Sequence, residues 1–259
     1  MKKILVVLAC VALLTFSIAM AQEPVKTIVT VGGSYWNAQY TLQDEDGKEL
    51  YDFGTGNLFG PYLSLSHGKW NFGASMYFGK FPVEETGLSD MSRNDLNFSL
   101  GYRVHPNINI FGGVKYLTWT MELEGMNYYG NAYTVKNTAK TPMFGAGVGG
   151  TVPLGTSGLY AFGSVAYLVG NITTESDVSG LDYDVNLSDG SSEDTSAQLV
   201  ALNLGLGYRF ASGLGINLGY RADLYTESTD YKDEFGDTAT AENDFGVKGV
   251  VATISYTFK

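Results

Sequence analysis

Few residues in this chain are equipped for chemistry. His67 and His105 are the only histidines, and both stand in short turn signals, Ser66-His67-Gly68 and His105-Pro106-Asn107. A general base needs a nucleophile within hydrogen-bond reach, and neither turn supplies one, so both read as polar turn residues. A second group is acidic. Asp182, Asp184, Asn186 and Glu193 have the 1, 3, 5 and 12 spacing of a calcium loop, but Leu187 stands where such a loop needs glycine. This is a calcium hypothesis set against a solvated acidic hairpin. A third group is Arg103, Lys115, Arg209, Arg221 and Asp223, charges embedded in otherwise apolar alternating segments. No catalytic set emerges, and no cofactor motif.

The elements that carry these residues are strands. Glycine (33) and aromatics (Tyr 18, Phe 14) are abundant, while Pro (6) and Cys (1) are scarce. Aromatic and β-branched residues suit a pleated surface. Strands are expected near 27–41, 56–66, 69–81, 94–104, 108–121, 142–152, 159–172, 198–210, 214–226 and 246–258. In the eighth, Val200, Leu202, Leu204, Leu206, Tyr208 and Phe210 share one face and Asn203, Gly205, Gly207 and Arg209 the other. In the ninth, Ile216, Leu218, Tyr220 and Leu224 oppose Asn217, Gly219, Arg221 and Asp223. This is a period of two with one apolar face. The polar face is Gly, Ser, Asn and Arg, which suits a crowded lumen better than a solvated surface.

The connections alternate between short, at 66–68, 105–107, 153–158 and 211–213, and long, at about 42–55, 82–93, 122–141, 173–197 and 227–245. The long ones hold 24 of the 27 acidic residues, all but Glu23, Asp95 and Asp223. Aromatics gather near strand ends. Short turns, long loops and aromatic girdles are the pattern of a membrane barrel. The expected fold is therefore all-β: an antiparallel up-and-down transmembrane β-barrel of ten strands, with eight or twelve left open by a misread hairpin. It would lie in a Gram-negative outer membrane.

Residues 1–21 read as a cleaved secretory signal. Lys2 and Lys3 precede an apolar run from Ile4 to Ile18, and Ala19-Met20-Ala21 fits the cleavage pattern. The barrel domain is then 22–259, without Cys10. Its 14 basic and 27 acidic residues (16 − 2 = 14) give a net charge of −13, which argues against nucleic acid as a partner.

The last strand, Val250-Val251-Ala252-Thr253-Ile254-Ser255-Tyr256-Thr257-Phe258-Lys259, sets Val250, Ala252, Ile254, Tyr256 and Phe258 on one face. It resembles the terminal strand of outer-membrane barrels. That resemblance implies that Tyr256 and Phe258 form an insertion signal read by the barrel-insertion machinery, although here Lys259 follows the aromatic. The segments Leu100-Gly101-Tyr102-Arg103-Val104 and Leu206-Gly207-Tyr208-Arg209-Phe210, each followed by a short turn and an alternating strand, are similar to the OmpA-like and small porin-like families. Ten-stranded outer-membrane proteases resemble the chain in size, but that family works with a His–Asp pair at the outer rim. No histidine occurs in a long loop here. Outer-membrane lipid A acyl hydrolases fail on the same ground.

The expected function is a non-enzymatic envelope component or narrow porin-like channel, with lipid and lipopolysaccharide as surroundings. The alternative is an adhesin or receptor-type module acting through its acidic loops. Arg103, Lys115, Arg209, Arg221 and Asp223 would line the lumen, narrowed by Tyr77, Tyr225 and Trp119. They form either a charged pore or a salt-bridge network that plugs it, since a barrel of this size leaves little free interior.

Overall fold

The fold is taken from a computed structural model, which describes residues 26–43, 49–83, 89–126, 132–179, 185–186, 195–232 and 238–258. The signal segment, and Asp182, Asp184 and Glu193 of the calcium hypothesis, lie outside the described residues. Asn186 belongs to a two-residue bridge, Val185–Asn186, whose backbone pairs with Asp177 and Val178.

Ten strands build the wall: β1 Thr27–Gln43, β2 Glu49–His67, β3 Trp70–Phe81, β4 Met91–His105, β5 Ile108–Met126, β6 Ala132–Pro153, β7 Leu159–Ser179, β8 Thr195–Arg209, β9 Leu214–Lys232 and β10 Thr238–Phe258. Each pairs antiparallel with its sequence neighbours, and β1 pairs with β10 from Val29↔Phe258 to Gln43↔Asp244. The sheet is therefore closed, and every strand has two partners. Closure removes the edges that would leave unpaired backbone groups in lipid.

The register sets the barrel's shape. Partners followed from Trp36 through Leu58, Gly79, Arg93 and Trp119 reach β6 at Ala139. Followed the other way, through Val251, Gly219, Gly205 and Phe162, they reach β6 at Thr151. The stagger is 151 − 139 = 12 residues. With about 3.3 Å per residue and about 4.8 Å between strands, it tilts the strands roughly 40° and gives a backbone diameter of about 20 Å.

The outward face is apolar. Leu204 and Leu218 are 60% exposed and Phe144 65%, and such a surface has no stable place in water. The band is bounded by aromatics: Trp70, Tyr102, Tyr208 and Tyr256 toward the short turns, Tyr35, Phe59 and Tyr167 toward the long loops.

At the short-turn end the strands close as the sequence indicates, with positive φ at Gly68 (59°), Gly158 (89°) and Gly213 (96°). At the other end they run further than the hydrophobic alternation does. β6 begins at Ala132 and β7 continues to Ser179, into segments read as loop. There the ladder continues in polar sequence, carried by backbone pairing and by ion pairs such as Lys140–Glu175 (2.5 Å) and Lys136–Glu122 (3.4 Å). β4 likewise starts at Met91, which brings Arg93 out of an expected loop and into the wall.

Candidate functional site

Alternation carries the site inward from three strands. On β4, Arg93 and Asp95 face the lumen; on β5, Lys115; on β9, Arg221, Asp223 and Tyr225. All of these are buried except Arg221, whose side chain keeps 14% exposure. Outward neighbours of Asp95 and Asp223 include the exposed apolar residues Leu96 and Leu224.

The cluster is a single hydrogen-bonded network. The Arg93 guanidinium grips Asp95 with two bonds of 2.7 Å and donates from Nη2 to Asp223 Oδ2 at 3.2 Å and to the Tyr225 hydroxyl at 3.1 Å. Lys115 Nζ donates to Asp95 Oδ2 at 2.9 Å and to Asp223 Oδ2 at 2.8 Å. Arg221 holds Asp223 at 3.0 and 2.8 Å. Removing five charges from water costs several kcal/mol each, and the network offsets this with charge-assisted and bidentate bonds, the strong kinds.

Aromatic rings complete the layer. Arg221 lies 4.4 Å from the Trp36 ring centroid and 5.0 Å from that of Tyr77; Arg93 lies 4.6 Å from Trp119. Such contacts strengthen once the cation is desolvated. Toward the long loops, Tyr40, Phe81, Trp119 and Phe245 pack together, and Tyr225 stacks on Phe245 at 4.5 Å and 6°. Leu58, Leu117, Met143, Leu199 and Val247 fill the periphery. Together these buried side chains form one packed layer across the lumen.

The cluster sits at the outer margin of the apolar band. Outward residues at its level pair as Leu96↔Tyr116, but the next pair up is Asn94↔Thr118. On β9 the step after Leu224 is Thr226, bonded to Asp244 at 2.6 Å. Glu227, paired in register with Asn243, stands above the band, and burial pushes its carboxyl up to about 7.

Below the plug the lumen is lined by buried and half-buried hydroxyls and amides paired between strands: Thr30–Thr257 at 3.0 Å, Ser34–Thr253 at 2.9 Å and Ser66–Asn71 at 2.7 Å. Rings lie against glycines here. A Cβ on Gly32 would fall 2.3 Å from Tyr62 Cε1, so glycine is what lets that ring cross the wall.

Of the charges expected in the lumen, the structure brings together Lys115, Arg221 and Asp223. Arg103 and Arg209 are exposed at the short-turn end; Arg209 sits over Tyr160, 5.7 Å from its centroid. The sequence reading missed Arg93 and Asp95. Arg93-Asn94-Asp95 and Arg221-Ala222-Asp223 are the same Arg-x-Asp triplet on two strands, and that repeat was the available signal. The histidines are structural: His67 Nδ1 bonds Thr27 Oγ1 on the neighbouring strand β1 at 2.9 Å, and His105 Nδ1 accepts the Asn107 N–H in its turn at 3.3 Å. Among the described residues no three His, Cys, Asp or Glu side chains are grouped to hold a metal ion.

No family model matches the chain, and no curated protein matches it. Among solved structures it is similar to the outer membrane protease OmpT from Escherichia coli, with a TM-score of 0.54 and 12% identity over 91% of this chain and 99% of that one. The protein is a ten-stranded barrel of the bacterial outer membrane. Its own exterior requires the membrane, and the shared fold matches that requirement. Also similar is the translocator domain of autotransporter NalP from Neisseria meningitidis, at a TM-score of 0.49 and 12% identity over 96% of this chain and 97% of that one. At such identity the likeness concerns the fold alone. In the arrangement usual for such barrels the short turns face the periplasm, which would put both histidines on that side and the polar strand extensions outside.

Proposed function

We propose that this barrel is a non-enzymatic envelope component of the OmpA-like or small porin-like kind, with a lumen sealed against solute flow. The observation that carries the reading is the plug. Arg93, Asp95, Lys115 and Asp223 are fully or almost fully buried, and they tie together strands on opposite sides of the wall. A porin would need that cross-section open. Lipid and lipopolysaccharide surround the barrel in this reading, and the barrel-insertion machinery assembles it. Planar-bilayer recording of the refolded protein tests it: no conductance above background is expected, and reproducible steps would return the barrel to the narrow-channel class.

A second reading, an adhesin or receptor surface, is favoured by the outer extensions. β6, β7, β9 and β10 rise above the apolar band as a polar collar, which would display the acidic loops well clear of the bilayer. Deleting 180–194 and 233–237 should abolish adhesion to host or abiotic surfaces while the barrel still folds. Unchanged adhesion would remove this reading.

A further inference from the structure

The plug is not electrically balanced. Arg93, Lys115 and Arg221 supply three positive charges and Asp95 and Asp223 two negative ones, leaving one positive charge in excess. Glu227 forms no ion pair with the cluster among the described residues. Two buried polar atoms of the plug also lack a hydrogen-bond partner among those residues, Arg93 Nη1 and Trp36 Nε1. Both are donors, on fully buried side chains. They belong to neighbouring groups, since the Arg93 guanidinium carbon lies 5.3 Å from the Trp36 ring centroid. Excess positive charge and unused donors at one place call for the same thing, an acceptor with negative charge. A water molecule could take the hydrogen bonds but would leave the charge, whose burial without compensation is costly.

We propose that the plug binds one small monovalent anion of chloride size, held by Arg93 Nη1 and Trp36 Nε1 and entering from the periplasmic half of the lumen. Its size follows from enclosure. Every charged group of the cluster is sealed except Arg221, so a sugar acid or phosphate ester has no room. The route follows from Arg221 too, the one charged group of the cluster that keeps exposure, which stands one inward position nearer the short turns on β9 than Asp223. The anion completes the core much as a structural ion does. It links the barrel's stability to halide without making the barrel a channel, so a conductance result would not alter the readout below.

The experiment compares the refolded barrel in sodium chloride, bromide, formate and gluconate at equal ionic strength, following thermal unfolding by heat-modifiable migration. Chloride and bromide should raise the midpoint by about 2–4 °C over gluconate, the size of effect expected for a ligand a few-fold above its dissociation constant. Formate matching the halides would assign the site to small carboxylates as well. Trp36→Phe keeps an aromatic side chain of smaller size and removes the N–H donor, and it should lose the halide effect. Lys115→Met balances the charges at two and two, and it should lose the effect independently of Trp36. Crystals grown in bromide should show an anomalous peak beside Arg93 Nη1. Equal midpoints in chloride and gluconate, or a halide response kept in both variants, would overturn the proposal and leave water on the two donors.

Discussion

Arg93 and Asp223 stand on β4 and β9, five strands apart in a ring of ten, and their side chains meet across the lumen at 3.2 Å. No backbone hydrogen bond can join opposite walls of a barrel, so this pair and Lys115–Asp223 at 2.8 Å do it through side chains. Asp223 Oδ2 is the hub, with Arg93, Lys115 and Arg221 all donating to it. The wall and the plug are therefore one cooperative unit.

The hub predicts an asymmetry. Asp223→Asn leaves three buried cations with one carboxylate, and breaking a buried pair from one side costs about 3–5 kcal/mol. Urea unfolding of the refolded barrel in lipid vesicles should show a loss of that order. Arg103→Gln, at the exposed periplasmic rim, should change stability by less than about 0.5 kcal/mol. Equal losses would mean that the network is no more than surface charge.

Severing the cross-lumen bridge should open the barrel. Arg93→Ala with Asp223→Ala removes both ends of the span and leaves Lys115 and Arg221 with Asp95 alone. Conductance steps should appear in this double variant and not in the parent. A silent double variant that still shifts on heating would assign the seal to the aromatic layer of Tyr40, Phe81, Trp119 and Phe245 instead.

How far these features could be read from sequence follows from where hydrophobic periodicity acts. Lipid imposes it on outward residues such as Leu202, Leu204 and Leu206, so strand number was legible, as was facing on strands such as β8 and β9 and the position of the short-turn strand ends. Above the bilayer no such pressure exists. The ladders of β6 and β7 continue through Lys136, Lys140 and Glu175 in sequence that reads as acidic loop. Arg93 was lost for the same reason: its outward neighbours, Ser92 and Asn94, are polar. Lys115, Arg221 and Asp223 were legible because apolar neighbours flank them. The excess positive charge needed three dimensions, since it depends on which five charges meet.

Glu227 predicts a pH dependence. Its carboxyl is pushed from an ordinary 4.5 up to about 7 by burial. Below 4.5 it is protonated both folded and unfolded, and contributes nothing. Between 4.5 and 7 the unfolded chain ionises while the folded barrel keeps the proton, which favours unfolding. Above 7 the penalty is complete. Relative to Glu227→Gln, the parent should lose stability steadily from pH 4.5 to 7 and then run parallel. Midpoint curves parallel over the whole range would contradict it.

The terminal strand offers a test with a built-in control. Tyr256 and Phe258 end β10 as an outward pair, their rings edge-to-face at 4.8 Å, and Tyr208 near the end of β8 and Phe210 just past it form the same pair at 4.7 Å. Both pairs sit at the periplasmic girdle with similar exposure, Phe258 at 52% and Phe210 at 40%. As interface anchors they are equivalent; only Phe258 closes the chain's last strand. If the resemblance of β10 to a terminal insertion signal is functional, Phe258→Ser should reduce the assembled, heat-modifiable barrel severalfold in cells, and Phe210→Ser should leave most of it. Refolding of the two variants from urea into vesicles, where no machinery acts, should be similar. Equal loss in cells would reduce Tyr256 and Phe258 to girdle residues.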